Sequence, residues 1–385
     1  MLPRRLSPLL QRSSKSILLL GPRQTGKSTL IAALEPGLTL NLAHEPTYLE
    51  FARNPRELEE RLAVLPRTTR RPTVFIDEVQ RLPSVLNTLQ VILDDPGNRI
   101  KFFLTGSSAR KLRRGHANLL PGRIHTYQLG PVAACELDHR LDTAQALSTG
   151  TLPGILTDPD AASRQKTLRS YAATYLKEEV QAESLTRNLE GFARFLTATA
   201  DWAGHHLDLS KLAAAAGVSR QSTVRYFEIL EDTLIVRRAE PFTRSLRRRL
   251  VQHPKFYFFD VGVRNGLLGN FEVSADRVGA LFEHLIFSQL TASADANDVE
   301  IRVSSYRTEH GAEVDLVVEL GRDVFALEIK ASRNVGASDL RGLRSFADHA
   351  GKKHRGIVLY LGEHRRRIDG VDILPWQDGL RTMGL

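Results

Sequence analysis

Gly21, Gly26, Lys27 and Ser28 stand at the spacing G-x-x-x-x-G-K-S within GPRQTGKST, a spacing suited to gripping a chain of phosphates. In such a loop backbone N–H groups wrap the phosphates, a lysine reaches the β and γ phosphates, and a serine hydroxyl ligates magnesium. Lys27 and Ser28 are assigned those roles, with Gly21, Pro22, Arg23, Gln24, Thr25, Gly26, Lys27, Ser28 and Thr29 as the cradle. Farther along, Asp77 and Glu78 end the apolar run TVFIDE. A displacement at phosphorus needs a counter-charge and a positioned nucleophile, so Asp77 is expected to hold the magnesium shell and Glu78 to orient or deprotonate water. Paired acids at a strand end also suit the cap of a following helix. Ser107 or Ser108 in KFFLTGSS is placed to sense a γ phosphate. Arg123 in LLPGRIHTYQL is placed to meet a nucleotide in its own or a neighbouring subunit, or to form a plain surface ion pair.

A second constellation lies late in the chain. Glu283 falls on an apolar helix, Asp315 in AEVDLVVEL, and Glu328 and Lys330 two apart in FALEIKAS, so that the last pair shares one strand face. Three acids and a lysine suit a metal-dependent phosphodiesterase, the carboxylates binding magnesium and the lysine steadying the attacking water. The same letters suit a salt-bridged scaffold.

The elements that must carry these residues follow from apolar periodicity. SILLLG is a strand running into the glycine loop, and TLIAALE after it is helical. LTLNLA, TVFIDE and KFFLTGSS are further strands, with helices between them near residues 44–64 and 82–95. Alternation of strand and helix predicts a parallel sheet covered on both faces, with ligands at the carboxyl ends of its strands. After Pro153 the pattern turns helical, in TLRSYAATYLKEEVQAESL and GFARFLTATADWAG.

Within that stretch, DLSKLAAAAGVSRQSTVRYFEILEDTLIVRRAEPF spells a helix, a turn at Gly217, a helix capped by Ser219, and a strand pair. That order is the winged helix-turn-helix pattern. Arg220, Gln221, Thr223 and Arg225 are its candidates for DNA contact, and Arg244, Arg247, Arg248 and Arg249 for a grip on the backbone. Winged helices also serve as protein contacts and ATPase lids. From about Phe256 the chain is α/β again. Three domains are therefore expected, at 1–150, 151–252 and 253–385.

Composition narrows the classes. At 385 residues and 42% hydrophobic content the chain is long enough for separate globular cores. The apolar run Ile17 to Leu20 is too short for a membrane span or signal core, which leads to the expectation of a cytoplasmic protein without membrane contact. The single cysteine, Cys135, forms no internal disulfide, and no Cys/His cluster has zinc-ligand spacing. A net charge of +9 makes a polyanion a plausible partner.

Taken together, LLLGPRQTGKSTL, FIDEVQRLP, KFFLTGSS, GRIHTYQLGP, FYFFDVGVRNGLLG, LFEHLIFSQL, EVDLVVEL and ALEIKAS resemble the prokaryotic AAA-type P-loop ATPases that carry a C-terminal endonuclease-like domain of unassigned function. The resemblance spans nearly the whole chain. It implies an AAA-type parallel-sheet domain, a helical and winged-helix middle region and a C-terminal endonuclease-like α/β domain. It also implies ATP with magnesium as cofactors, and places Gly21 to Thr29, Asp77, Glu78, Ser107, Ser108 and Arg123 in the ATPase site. The chain departs from the usual pattern at Pro121, where a smaller residue is common, and at Lys177 and Glu178, where arginine and aspartate are commoner. The resulting expectation is a DNA-binding ATPase, an oligomeric motor remodelling duplex or branched DNA, with a hexamer among its possible sizes. An ATP-dependent switch acting on protein partners and an ATP-coupled nuclease are the alternatives.

Overall fold

The structure, a computed structural model, describes residues 2–65, 72–107, 120–172, 188–242, 253–308, 311–348 and 353–385. The chain forms two compact units, Met1–Gly130 with Asp232–Leu234, and Pro131–Glu231 with Ile235–Leu385.

In the first unit β1 (Ser16–Leu20), β2 (Leu38–Asn41), β3 (Thr73–Asp77), β4 (Lys101–Gly106) and β5 (Ile124–Gln128) form one sheet in the order β2-β3-β4-β1-β5, every pairing parallel. Alternate side chains of a strand point to opposite faces, so the continuous apolar runs feed two cores. Ile17, Leu19, Phe75 and Phe103 pack with Leu10 of the helix Ser7–Arg12, with Leu6 just before it, and with Leu30 and Ile31 of the helix Lys27–Ala32. Leu18, Leu20, Val74, Ile76, Phe102 and Leu104 pack with Phe51, Leu58, Leu86 and Leu89 from the helices Glu45–Arg53, Glu57–Ala63 and Val85–Asp94. Each such fully buried side chain contributes roughly 1.5–3 kcal/mol. Because all five strands run one way, β1, β3 and β4 deliver Gly21, Asp77 with Glu78, and Ser107 to a single edge of the sheet.

The second unit is built on a mixed sheet of eight strands. These are β6 (Val236–Pro241), β7 (Lys255–Phe258), β8 (Ile301–Arg307), β9 (Glu313–Leu320), β10 (Asp323–Lys330), β11 (Arg355–Tyr360), β12 (Arg366–Ile368) and β13 (Val371–Pro375), in the order β12-β13-β11-β10-β9-β8-β6-β7. The helix Val278–Asn297 is buried on nearly every side and packs with Leu316, Leu327 and Leu359 on one sheet face. Leu340, Leu343 and Phe346 cover the other face over Val317, Ala326 and Val358. The helices Leu189–Trp202, Leu209–Ala216 and Arg220–Asp232 share a core with Phe256 and Phe258 of β7.

Both expected joins, near residues 150 and 252, fall inside the second compact unit. The break falls after Gly130, and 151–252 and 253–385 belong to one unit. The physical reason is β6, which pairs antiparallel with β7 and parallel with β8 and so stitches the helical stretch into the later sheet. The helix–turn–helix order itself is present. Gly217 ends the first helix in the left-handed region at a φ of 62°, and Ser219 Oγ accepts from Ser222 N at 3.1 Å to cap the second. Among the described residues no helix is long and apolar enough to cross a membrane.

Candidate active site

The loop after β1 closes on itself. Lys27 is 4% exposed, and its Nζ donates to the carbonyl oxygens of Gly21 and Pro22, each at 2.8 Å. Thr25 Oγ1 donates to Pro22 O at 2.9 Å. Two residues take the left-handed backbone the tight loop requires, Gln24 at a φ of 62° and Gly26 at 91°. Gly21 is fixed by space instead: a Cβ there would come within 2.2 Å of the Leu129 carbonyl oxygen. Arg4, which the sequence did not single out, braces the loop from outside, donating to Thr25 O at 2.7 Å and Gly130 O at 3.0 Å.

The acids of β3 are tied to this loop and to the end of β4. Ser28 Oγ donates to Asp77 Oδ1 at 2.8 Å. Thr105 Oγ1 also donates to Asp77 Oδ1, and accepts from the backbone N–H of Glu78 at 3.2 Å. Glu78 sits at a φ of 57°, a strained conformation for a non-glycine residue and one that turns its side chain out of the strand line. Gln80 Nε2 donates to Glu78 Oε2 and to Ser107 Oγ, the latter at 3.0 Å. The structure thus brings together Ser28, Asp77, Glu78 and Ser107, and adds Thr105 and Gln80, which sequence reasoning missed. Thr105 had a signal, since it lies two residues from Ser107 in KFFLTGSS and shares its strand parity. Gln80 had none, because it lies on the short turn Val79–Arg81, outside any periodic element. A buried ammonium, a hydroxyl already bonded to a carboxylate, and a loop with no room for a Cβ are chemically suited to a magnesium-bound triphosphate.

Arg123 lies elsewhere. Ser16 pairs with Ile124 and Leu20 with Gln128, so Arg123 sits just before the start of β5 while Gly21 follows the end of β1. The five residues of β5 put about 16 Å between those levels at ~3.3 Å per residue. That separation removes the own-subunit role. Arg123 is paired with Asp94, Nη2 to Oδ2 at 2.8 Å, and this hydrogen bond holds the Asp94 carboxyl below its usual range.

The late acids also converge, around a residue not foreseen. Lys255 on β7 is 5% exposed and its Nζ lies 3.1 Å from Glu283 Oε1 and 3.0 Å from Glu313 Oε1. Tyr257, two residues on along the same strand, donates to Glu283 Oε1 at 2.6 Å. Asp315 sits where β9 carries one residue more than β8, a bulge that re-aims its side chain, and its Oδ2 accepts from Ile329 N at 2.7 Å. Lys330 Nζ pairs with Glu328 Oε1 at 2.7 Å. Burial, then Glu283 and Glu328, push the Asp315 carboxyl well above its usual range. Burial raises Glu328 too, against the pull of Lys330. Burial alone would draw Lys255 down, but Glu283, Glu313 and Asp315 outweigh it and hold the ammonium above the ordinary lysine range. Among the described residues no three His, Cys, Asp or Glu side chains gather as a metal site. The cation bonded to Glu283 and Glu313 is the protein's own lysine.

Of the DNA-contact candidates, Arg220, Gln221 and Arg225 are exposed. Thr223 is not: it is fully buried and its Oγ1 donates to Ser219 O at 3.1 Å, because it falls on the core face of its helix. Thr223 is therefore removed from that set. Glu228 is exposed on the same helix, farther toward its C-terminus. Ser108, Arg244, Arg247, Arg248, Arg249, Lys177 and Glu178 lie outside the described residues.

Comparison with known proteins divides the chain in three. Residues 13–137 match the family described as AAA domain, 140–274 a domain of unknown function (DUF8612), and 278–378 another (DUF4143). Uncharacterized proteins of Mycobacterium tuberculosis and Mycobacterium bovis are each 28% identical over 377 residues, covering 96% of this chain and 81% of theirs. A DNA polymerase III gamma subunit-related protein from Thermotoga maritima aligns over 59% of this chain and 97% of its own, at 12% identity and a TM-score of 0.27, too slight a likeness to define a shared architecture. The loop of Gly21 to Thr29 and the acids at the end of β3 lie at one edge of a parallel sheet, within the stretch 13–137 that is similar to the AAA domain family.

Proposed function

We propose that the protein hydrolyses ATP as an assembly of its own copies and uses that cycle to act on duplex or branched DNA. The observation that carries the reading is the hydrogen-bonded chain from Ser28 through Asp77, Thr105, Glu78 and Gln80 to Ser107, beside the phosphate loop. Lys27 and the backbone N–H groups of Gly21 to Thr29 bind the phosphates. Magnesium, held through Ser28 and Asp77, neutralises charge on the β and γ phosphates when bound. A water oxygen bonds to the γ phosphorus as the bond to the β–γ bridging oxygen breaks; ADP leaves with that electron pair, and Glu78 accepts the water's proton.

Arg123 reaches a nucleotide only from a neighbouring copy, which makes assembly part of the mechanism. Arg123→Ala and Glu78→Gln subunits, each impaired alone, are expected to recover part of the activity when mixed, since some interfaces then hold an intact Glu78 facing an intact Arg123. No recovery at any mixing ratio would contradict action across the interface.

DNA binding is supported by the net charge of +9 and by exposed Arg220, Gln221 and Arg225 on the second helix of the pair. If both arginines meet phosphates, Arg220→Ala with Arg225→Ala lowers the slope of log affinity against log salt by about 2. Fluorescence anisotropy of a labelled duplex across a salt series measures this, and an unchanged slope would remove the helix from the interface. The late carboxylate cluster is not proposed as a nuclease centre, because Glu283, one of the three acids that would hold the metal, is bonded to Lys255.

A further inference from the structure

Two local costs meet at the turn after β3. Glu78 is held in the left-handed backbone region, and Gln80 Oε1 is buried with no hydrogen-bond partner. Both accompany the placement of the Gln80 amide. Gln80 is 5% exposed, and its two amide hydrogens are both committed, one to Glu78 Oε2 and one to Ser107 Oγ. Gly106 makes the room, since a Cβ there would come within 2.9 Å of Gln80 Oε1. Arg81, on the same turn, anchors it by donating to Leu42 O at 3.0 Å and Ala43 O at 2.8 Å. One planar amide on a fixed turn therefore links the carboxylate beside the loop to the hydroxyl at the end of β4.

We propose that Gln80 is a positioning residue that couples contact between Ser107 and the γ phosphate to the alignment of Glu78 on the attacking water. The inference rests on the hydrolytic reading above. Movement of Ser107 toward a phosphate oxygen draws on the amide it shares with Glu78, so the carboxylate is set for catalysis when a triphosphate, rather than a diphosphate, lies in the loop.

The test compares wild type, Gln80→Leu and Gln80→Glu by phosphate release, equilibrium binding of magnesium-ATP, and thermal melting. Gln80→Leu keeps the volume and loses both hydrogen bonds; kcat is expected to fall at least about tenfold with ATP affinity within about threefold of wild type. Gln80→Glu replaces the donating amide by an acceptor facing both Glu78 and Ser107, so kcat is expected to fall at least as far, again with ATP affinity within about threefold of wild type. A wild-type kcat in Gln80→Leu would overturn the inference. So would parallel losses of kcat, ATP affinity and melting temperature, which is what a purely structural residue gives. A wild type that binds ATP without releasing phosphate would overturn the hydrolytic reading itself, and this inference with it.

Discussion

Glu78→Gln is expected to bind magnesium-ATP as the parent does and to release phosphate about 10²–10⁴-fold more slowly, the usual contribution of a positioned general base. The substitution is nearly isosteric, so the backbone at a φ of 57° and the hydrogen bond from its N–H to Thr105 are undisturbed. What disappears is the proton acceptor. Lys27→Ala gives the contrast, because Lys27 fastens to Gly21 and Pro22 and is a buried cation of the loop; its loss removes binding as well as turnover. Equilibrium nucleotide binding and steady-state phosphate release on the same preparations separate the two. Loss of binding in Glu78→Gln would mean that Glu78 shapes the loop rather than the chemistry.

Lys255→Ala is expected to have the largest effect on stability. Breaking a buried ion pair by removing one partner costs about 3–5 kcal/mol, because the charge left behind has lost both water and counter-charge. Here Glu283 and Glu313 lose the ammonium bonded to them, and Asp315 loses its attraction. The pH dependence follows from the direction of the shifts. Burial with the neighbouring acids already sets Asp315 above its unfolded value, and removing Lys255 raises it further. A carboxyl with a raised folded pKa favours the fold at low pH, and that advantage is lost as the pH rises through the folded value. The deficit of Lys255→Ala should therefore grow as the pH rises in denaturant titrations. A deficit below about 1 kcal/mol, flat with pH, would mean that the cluster is screened as a surface network is.

Much of the first unit was legible because its strands are buried on both faces and so appear as unbroken apolar runs, SILLL, TVFID and KFFLTG, each ending in the residues of the site. Ser28, Asp77 and Ser107 could be placed together because parallel strands share an edge. Gln80 could not, since a three-residue turn has no period to read and its role depends on the rotation of one amide. For Arg123 the sequence leaves its own nucleotide, a neighbouring subunit's and a surface ion pair open, and its place before a strand rather than after one sets it at the far edge of the parallel sheet from Gly21. In the second unit the pairing between β6 and β8 links residues far apart in the chain and leaves no local trace in the sequence. Lys255 was missed for the same reason. Its partners lie on the helix Val278–Asn297 and on β9, and only the closed sheet brings the three together. Thr223 shows the opposite failure: a polar residue beside arginines was read as exposed, while helical spacing puts it among Tyr226, Phe227 and Leu230 on the core face.

The central claim is ATP hydrolysis coupled to DNA, and the most direct measurement is steady-state phosphate release by wild type and Glu78→Gln. Single strands, duplex and a four-way junction are added in turn, at low and at physiological salt. The account predicts magnesium-dependent release that at least one DNA form stimulates, with the stimulated rate lost in Glu78→Gln. Release indifferent to every DNA at both salt concentrations would contradict it, and would turn the search for what the cycle drives toward protein partners.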